Sequence, residues 1–392
     1  MKYLKLLTAC ISVSCLLITG CKKENQPAPA EVQSSRITGR AETQMSKDKL
    51  QRLRASLPAG YEKRLEKTAA RLLLSHPEYR DLVRRALALE PTPCDANTPV
   101  SQWLDQELAD WTSDQFFFAI VSGMLDFPTY DALLFENSSV DQTFGLSGEY
   151  THPVNKTFKD LKRFWNIQSG GMVLAAMHGS MLQDREKVIR IDMILFGDTR
   201  AQAEVWADLI ASALEEPAYR SGNHPLFTFN AFALETFNFP PFGIIPNKIV
   251  MGDGVMDGYT GIGYGDIAPA AIMAHEYGHH IQFQLGLFTP VSSPEATRRT
   301  ELMADAYSAY FLSHARGASM QWKRVQQFLQ VFFNIGDCGF TSDGHHGTPT
   351  QRMAAANWAY NLANDAQKQG HILTSQEFTI LFEQQLPVLV AQ

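Results

Sequence analysis

The 392-residue chain predicts an α+β fold, a mostly helical N-terminal region followed by a region in which a small sheet packs on one helix. Three observations predict it. Helical spacing of apolar residues dominates from Ser46 to Phe135 and returns from Ala270 to Gln369. Runs with strand character, Lys187 to Phe196, Phe227 to Ala233 and Ile244 to Met251, fall between those two stretches. The run Ala270 to Leu285 reads as an apolar helix carrying two histidines one turn apart. The length suffices for two domains. The expected organisation is a targeting segment over 1–20, a tether over 21–45, a helical region over 46–150 and a C-terminal domain over 151–392.

At the start, Lys2 and Lys5 precede the apolar run Leu6 to Ile18, which is short for a membrane span. Ile18-Thr19-Gly20-Cys21 resembles a bacterial lipobox, which makes Cys21 the lipidated first residue of the mature chain. The alternatives are an ordinary signal peptide or a single anchor helix. The lipobox reading places the protein in the cell envelope, membrane-attached through Cys21, and Lys22 after the cysteine points to the outer membrane. Cys10 and Cys15 leave with the signal, so Cys94 and Cys338 remain, as a disulfide or as two separate thiols; spacing leaves both open. Residues 22–45 are polar, with proline and alanine and no apolar period, as in a flexible tether.

From Ser46 to Glu90 the pattern is helical, as at Leu50, Leu53 and Leu57 and then Leu65, Ala69, Leu72 and Leu73. Between Arg36 and Arg85 there are 13 Lys and Arg against 6 Asp and Glu, a balance of 13 − 6 = +7, whereas the chain without Lys2 and Lys5 carries −7 − 2 = −9. The basic stretch is either a solvated helix face or a contact for anionic lipid or an acidic partner. No nucleic-acid partner is expected, and oligomeric state is not legible. A proline-rich break from Pro91 to Pro99 precedes Trp103 to Phe135, again helical, whose Phe116-Phe117-Phe118 run reads as core. Residues 137–170 are rich in Gly, Ser, Asn and Pro and read as loops; Asp198 to Glu215 reads as a helix. Beyond the strand-like runs, Pro294 to Arg316, Gln321 to Phe333 and Thr350 to Gln369 read as helices, with a glycine-rich loop over Gly336 to Gly347.

The chemistry concentrates in His275-Glu276-Tyr277-Gly278-His279. His275 and His279 share a helix face, so two neutral imidazoles can converge on one Zn²⁺, with Glu276 beside them to take a proton from water at the metal. Asp266 is available as the helix cap and Pro269 suits the first turn. Gly278 costs roughly 1 kcal/mol against Ala, which suggests that another element approaches closely there. Downstream, Glu301-Leu302-Met303-Ala304-Asp305 offers Glu301 as third ligand and Asp305, one turn later, to accept an N–H from a liganding histidine. Three protein ligands leave a position for water, the mark of a catalytic site. His280 points away from His279 and is expected to pack or hydrogen-bond, His178 reads as a satisfied core residue, and Tyr307 or Tyr310 can reach the cleft.

The run His275 to Gln282, with Glu301 to Asp305, resembles a family of bacterial neutral zinc metallopeptidases within the gluzincin group. His346-Gly347-Thr348-Pro349-Thr350-Gln351-Arg352 is similar to a third segment of that family, and Asn230 to Leu234 resembles a strand ahead of the metal helix in another gluzincin family. The resemblance implies a zincin-like domain, Zn²⁺ held by His275, His279 and Glu301, and a strand at Ile244 to Met251 forming the edge on which a peptide or protein substrate lies. His346 is expected to donate to the oxyanion of the tetrahedral intermediate, with His345 as the neighbouring alternative. The expected activity is hydrolysis of peptide bonds, with Glu276 as proton acceptor and donor. A zinc amidase on a non-peptide cell-wall substrate, or an anchored binding protein with a structural zinc, remains the alternative.

Overall fold

The computed structural model describes residues 55–75, 98–288, 293–334, 347–368 and 370–391. The targeting segment, the tether, Cys21, Cys94, Cys338, His345 and His346 lie outside the described residues.

Helix α1, Tyr61–Ser75, is held by two arginines, Arg71, which pairs with Asp126 at 2.7 Å, and Arg64. Arg64 donates from Nε to Val121 O at 2.9 Å and from Nη2 to Ser122 O, and it pairs with Asp192 and Asp198. Those carbonyls belong to the last turn of α3, Ser113–Ser122, where a cation completes the otherwise unsatisfied acceptors. The aromatic stretch between Trp103 and Phe135 contains α2, Pro99–Glu107, then α3 and α4, Phe127–Leu134. Thr98 and Thr112 start α2 and α3 with reciprocal capping bonds to Ser101 and Gln115, and Gly123 at φ 85° ends α3. The stretch Ser113–Leu134 is long and apolar enough to cross a membrane, but its apolar part is buried inside the fold and it is broken at Gly123. The core reading of Phe116, Phe117 and Phe118 holds.

Two sequence expectations fail in this middle region. Residues 137–170 are not all loop, because Thr151–Phe164 forms α5, with Val154, Phe158, Leu161 and Phe164 buried along one stripe. Its polar outer face masked the period. Lys187 to Phe196 is not a strand but most of α6, Arg185–Phe196. Asp184 caps it by accepting from Glu186 N and Lys187 N, and Gly197 closes it at φ 73°. These end signals outweigh the β-branched content. Helix α7, Arg200–Ala213, matches its expectation and is capped by Thr199 with Gln202.

Among the described residues the sheet has three strands in the order β1-β5-β2, with β1 Val173–Met177, β2 Ala231–Leu234 and β5 Lys248–Gly252. β1 runs parallel to β5, Val173 opposite Lys248, and β2 antiparallel, Ala231 opposite Met251. The expected strand at Ile244 to Met251 is two, because Pro246-Asn247 divides it: β4, Gly243–Ile245, pairs with β3, Phe237–Phe239, in a separate hairpin. The expected strand at Phe227 to Ala233 begins as a 3-10 turn over Pro225–Thr228. β5 is central, flanked on both sides, so it presents no edge for a substrate; β2 is an outer strand. Nor does β5 lead directly to the histidine helix, since α8, Asp253–Gly261, intervenes.

The histidine helix is α9, Ala268–Gln284, followed by α10, Pro294–Ser313, α11, Trp322–Asn334, α12, Pro349–Lys368, and α13, Ser375–Val390. α9 is buried on every face from Ala268 to Gln282, as befits a helix with β2 and β5 on one flank and α5 and α10 on others. Asp266 does not cap it: its carboxylate is taken by Arg324, Nε at 3.1 Å and Nη2 at 2.6 Å, and the cap position is Ile267. Among the described residues one apolar core takes in residues from Leu57 to Leu389, on both sides of residue 150. Trp103 of α2, for instance, lies 6.1 Å from the ring of Phe229.

Candidate metal centre

Gly278 sets the geometry. A Cβ there would lie 3.1 Å from Ala304 Cα and 3.3 Å from Ala304 O, tighter than ordinary contact, so glycine lets α9 and α10 cross this closely without either helix giving way. The close crossing expected from sequence is present. It brings Glu301, one turn before Ala304, against His275 and His279. His275 Nε2 is 3.5 Å from Glu301 Oε2, and His279 Nε2 is 3.5 Å from Glu301 Oε1. The three ligand atoms all lie within 4.8 Å of one another, and the residues are 2, 3 and 0 % exposed. Donors about 2.0–2.1 Å from a tetrahedral cation stand about 3.4 Å apart, so the spacing suits a small divalent ion. His279 Nε2 is buried with no hydrogen-bond partner among the described residues. A basic nitrogen left bare in the interior is costly unless something binds it. The group can therefore hold a metal ion.

Each histidine is oriented from behind. His275 Nδ1 lies 3.0 Å from Asp305 Oδ1, as expected. Asp305 is itself gripped by Arg352 of α12, Nε to Oδ2 at 2.7 Å and Nη2 to Oδ1 at 2.8 Å, a buried two-pronged ion pair. His279 Nδ1 lies 3.0 Å from Gln282 Oε1. Arg352 and Gln282 stood inside the quoted sequence blocks without a role; the i, i+3 step from His279 to Gln282 was the available signal. The segment Thr348 to Arg352 is a helix start, with Thr348 Oγ1 accepting from Gln351 N at 3.1 Å and Gln351 Oε1 accepting from Thr348 N at 3.2 Å. This capping arrangement aims Arg352 inward.

Burial pulls the His275 pKa down, but hydrogen bonds and charges from Asp305 and Glu301 outweigh it and carry the group up to about 10. His279 has no such anion behind it, and burial takes it down to about 4. A cation entering between them must displace the His275 proton, since only the neutral ring ligates. Burial lifts Glu276 to about 7, with Glu301 adding to the rise and His275 opposing it. The backbone of Ala233 in β2 also opposes the rise, and Glu276 Oε2 has no hydrogen-bond partner among the described residues. Burial holds Asp305 against ionisation, but Arg352 prevails and its pKa is lowered.

No protein-family profile, curated sequence or solved structure matches this chain. The remaining site expectations divide cleanly. His280 donates from Nε2 to Lys248 O at 2.8 Å and ties α9 to β5, in line with a bonding rather than liganding role. Tyr307 and Tyr310 do not reach the centre. Tyr307 meets Thr379 through its hydroxyl, and Tyr310 OH accepts from Leu373 N at 3.0 Å, so both lock α10 to the C-terminal part of the chain. His178 is half-buried rather than core, with Nδ1 2.6 Å from Asp253 Oδ2 where β1 and β5 end.

Proposed function

We propose that the protein is a zinc-dependent hydrolase of peptide bonds, of the kind its sequence resembles, held at the bacterial cell envelope through lipidated Cys21. The observation that carries the reading is Glu276. Three residues suffice to hold the ion, yet a fourth buried group, 2 % exposed, stands beside them with Oε2 bare. A binding site for structural zinc has no use for it. Zinc in this centre supplies a Lewis acid that polarises a carbonyl and lowers the pKa of water.

The chain's own residues do the rest. Glu276 takes the water's proton at Oε2 and passes it to the leaving amine, and a carboxyl raised to about 7 suits both directions of transfer. The backbone of Ala233 opposes the rise in the Glu276 pKa, so the strand β2 borders the proton acceptor. β2 also supplies an outer sheet edge along which an extended peptide can add as a further strand. His346, from the segment that leads to Arg352, donates to the oxyanion, worth about 3 kcal/mol.

The test is cleavage of a broad peptide library by the parent and by Glu276→Gln. The reading predicts that Glu276→Gln retains zinc and loses cleavage by at least about 10³-fold, with His346→Ala losing about 10²-fold. Equal cleavage by parent and Glu276→Gln contradicts it. Zinc binding without any cleavage directs the search to non-peptide amides. Fatty-acid labelling that survives Cys21→Ala contradicts the anchor.

A further inference from the structure

The two histidines of the centre are held by unlike devices. Behind His275 stands an anion, Asp305, neutralised by Arg352. Behind His279 stands a neutral amide, Gln282, which is fully buried. The orientation of that amide follows from what lies on its far side. Gln282 Nε2 is 2.6 Å from Thr300 O, and a backbone carbonyl can only accept, so the amide nitrogen must face Thr300. Oε1 then faces His279 Nδ1 at 3.0 Å, and an amide oxygen likewise only accepts. Nδ1 therefore carries a hydrogen, and in the neutral ring Nε2 is bare. That is the atom with no hydrogen-bond partner among the described residues, 3.5 Å from Glu301 Oε1.

The connectivity has a second consequence. Gln282 lies three residues beyond His279 on α9, and Thr300 immediately precedes Glu301 on α10. The ring His279–Gln282–Thr300–Glu301 thus closes across two helices. Sliding α10 along α9 would break the Gln282–Thr300 bond before the ligands could separate far. Gly278, which permits the crossing, fixes the distance between the helices, and Gln282 fixes their register.

We propose that Gln282 is a positioning residue that selects the Nδ1–H tautomer of His279 and sets its Nε2 in register with Glu301. The inference rests on reading the cluster as a metal centre, but the tautomer is defined before any metal binds. The two can therefore fail separately.

The experiment uses the full chain labelled with ¹⁵N in the histidine rings, metal-free at pH 8, compared with Gln282→Met, Gln282→Glu and His279→Ala. Two-bond ¹⁵N–¹H correlations report which ring nitrogen is protonated, and the signals absent from His279→Ala identify that residue. The parent is expected to show His279 protonated at Nδ1 and bare at Nε2. Gln282→Met, similar in volume but without an acceptor, should lose that pattern and, in competition with a zinc chelator, bind zinc 10–100-fold more weakly, the usual cost of removing a group behind a ligand. Gln282→Glu keeps the acceptor for Nδ1–H but loses the donor to Thr300 O, so the Nδ1–H pattern should return while zinc affinity recovers only in part. A purely structural glutamine predicts otherwise: lower thermal stability in Gln282→Met with tautomer and zinc affinity unchanged. That result overturns the proposal, as does a metal-free parent whose His279 is protonated at Nε2. If Gln282→Met does not fold, the parent spectrum and Gln282→Glu still decide. A parent that shows the Nδ1–H tautomer yet takes up no zinc supports the role of Gln282 and overturns the metal reading alone.

Discussion

Arg352 and Asp305 form a pair 1 % exposed on both sides, and losing one partner would leave the other charged in the interior. Arg352→Met should therefore cost about 3–5 kcal/mol, measured by denaturant unfolding. It should also weaken zinc binding, because an Asp305 free to turn no longer holds His275. Wild-type stability in that variant would remove Arg352 from the account. His178 gives a prediction in pH. Its hydrogen bond to Asp253, with further help from the charges of Asp253 and Glu136 and against burial, raises its pKa above the ordinary 6.5. The folded state then binds the proton more tightly than the unfolded chain, so the contribution is complete below pH 6.5 and is lost as pH rises through the folded value. The melting-temperature gap between parent and His178→Gln should be wider at pH 6 than at pH 9. A gap independent of pH would contradict it. At this scale the candidate ligands His275, His279 and Glu301 were legible, since a helical repeat alone brings two of them together. Gln282 and Arg352 were less so, because the partners they serve, Thr300 and Asp305, lie on another helix and only tertiary packing joins them.

The crossing of α9 and α10 is the element-scale feature on which the centre depends. Gly278→Val places two methyl groups where Ala304 Cα already lies 3.1 Å from a single Cβ. The helices must part, at a cost of about 1–3 kcal/mol for overpacking, and Glu301 must draw away from both histidines. Zinc affinity should fall with stability, read by chelator competition on the folded variant; unchanged affinity would show that the crossing does not set the site. The sequence announced this crossing through a glycine in the middle of a helix that otherwise had no need of one. It concealed α5, whose exposed face is as polar as a loop, and it suggested a strand at Lys187 to Phe196, where the ends set by Asp184 and Gly197 decide for helix. It also did not disclose strand order. β5 became central because β1, far upstream, pairs with it in parallel, a long-range choice that local alternation does not encode.

Across the whole molecule, burial makes the centre what it is. α9 runs through the interior between the sheet, α5 and α10, and the core around it extends from Leu57 to Leu389. The α+β class was legible from the proportion of helical to alternating patterns. The continuity of the core across residue 150 was not, because it depends on residues such as Trp103 meeting partners more than a hundred positions away. In that interior the polar side chains are kept by partners, Asp305 by Arg352 and Gln282 by Thr300, while His279 Nε2 and Glu276 Oε2 have no hydrogen bonds among the described residues. The proposal on which the rest depends is that a metal ion belongs between His275, His279 and Glu301. It is tested most directly by the metal content of the purified protein, parent against His279→Ala and Glu301→Ala, with zinc-edge X-ray absorption on the parent. The account predicts about one zinc per chain, bound through nitrogen and oxygen without sulfur, and its loss from both variants. A parent that takes up no zinc, or variants that keep it in full, would contradict the account.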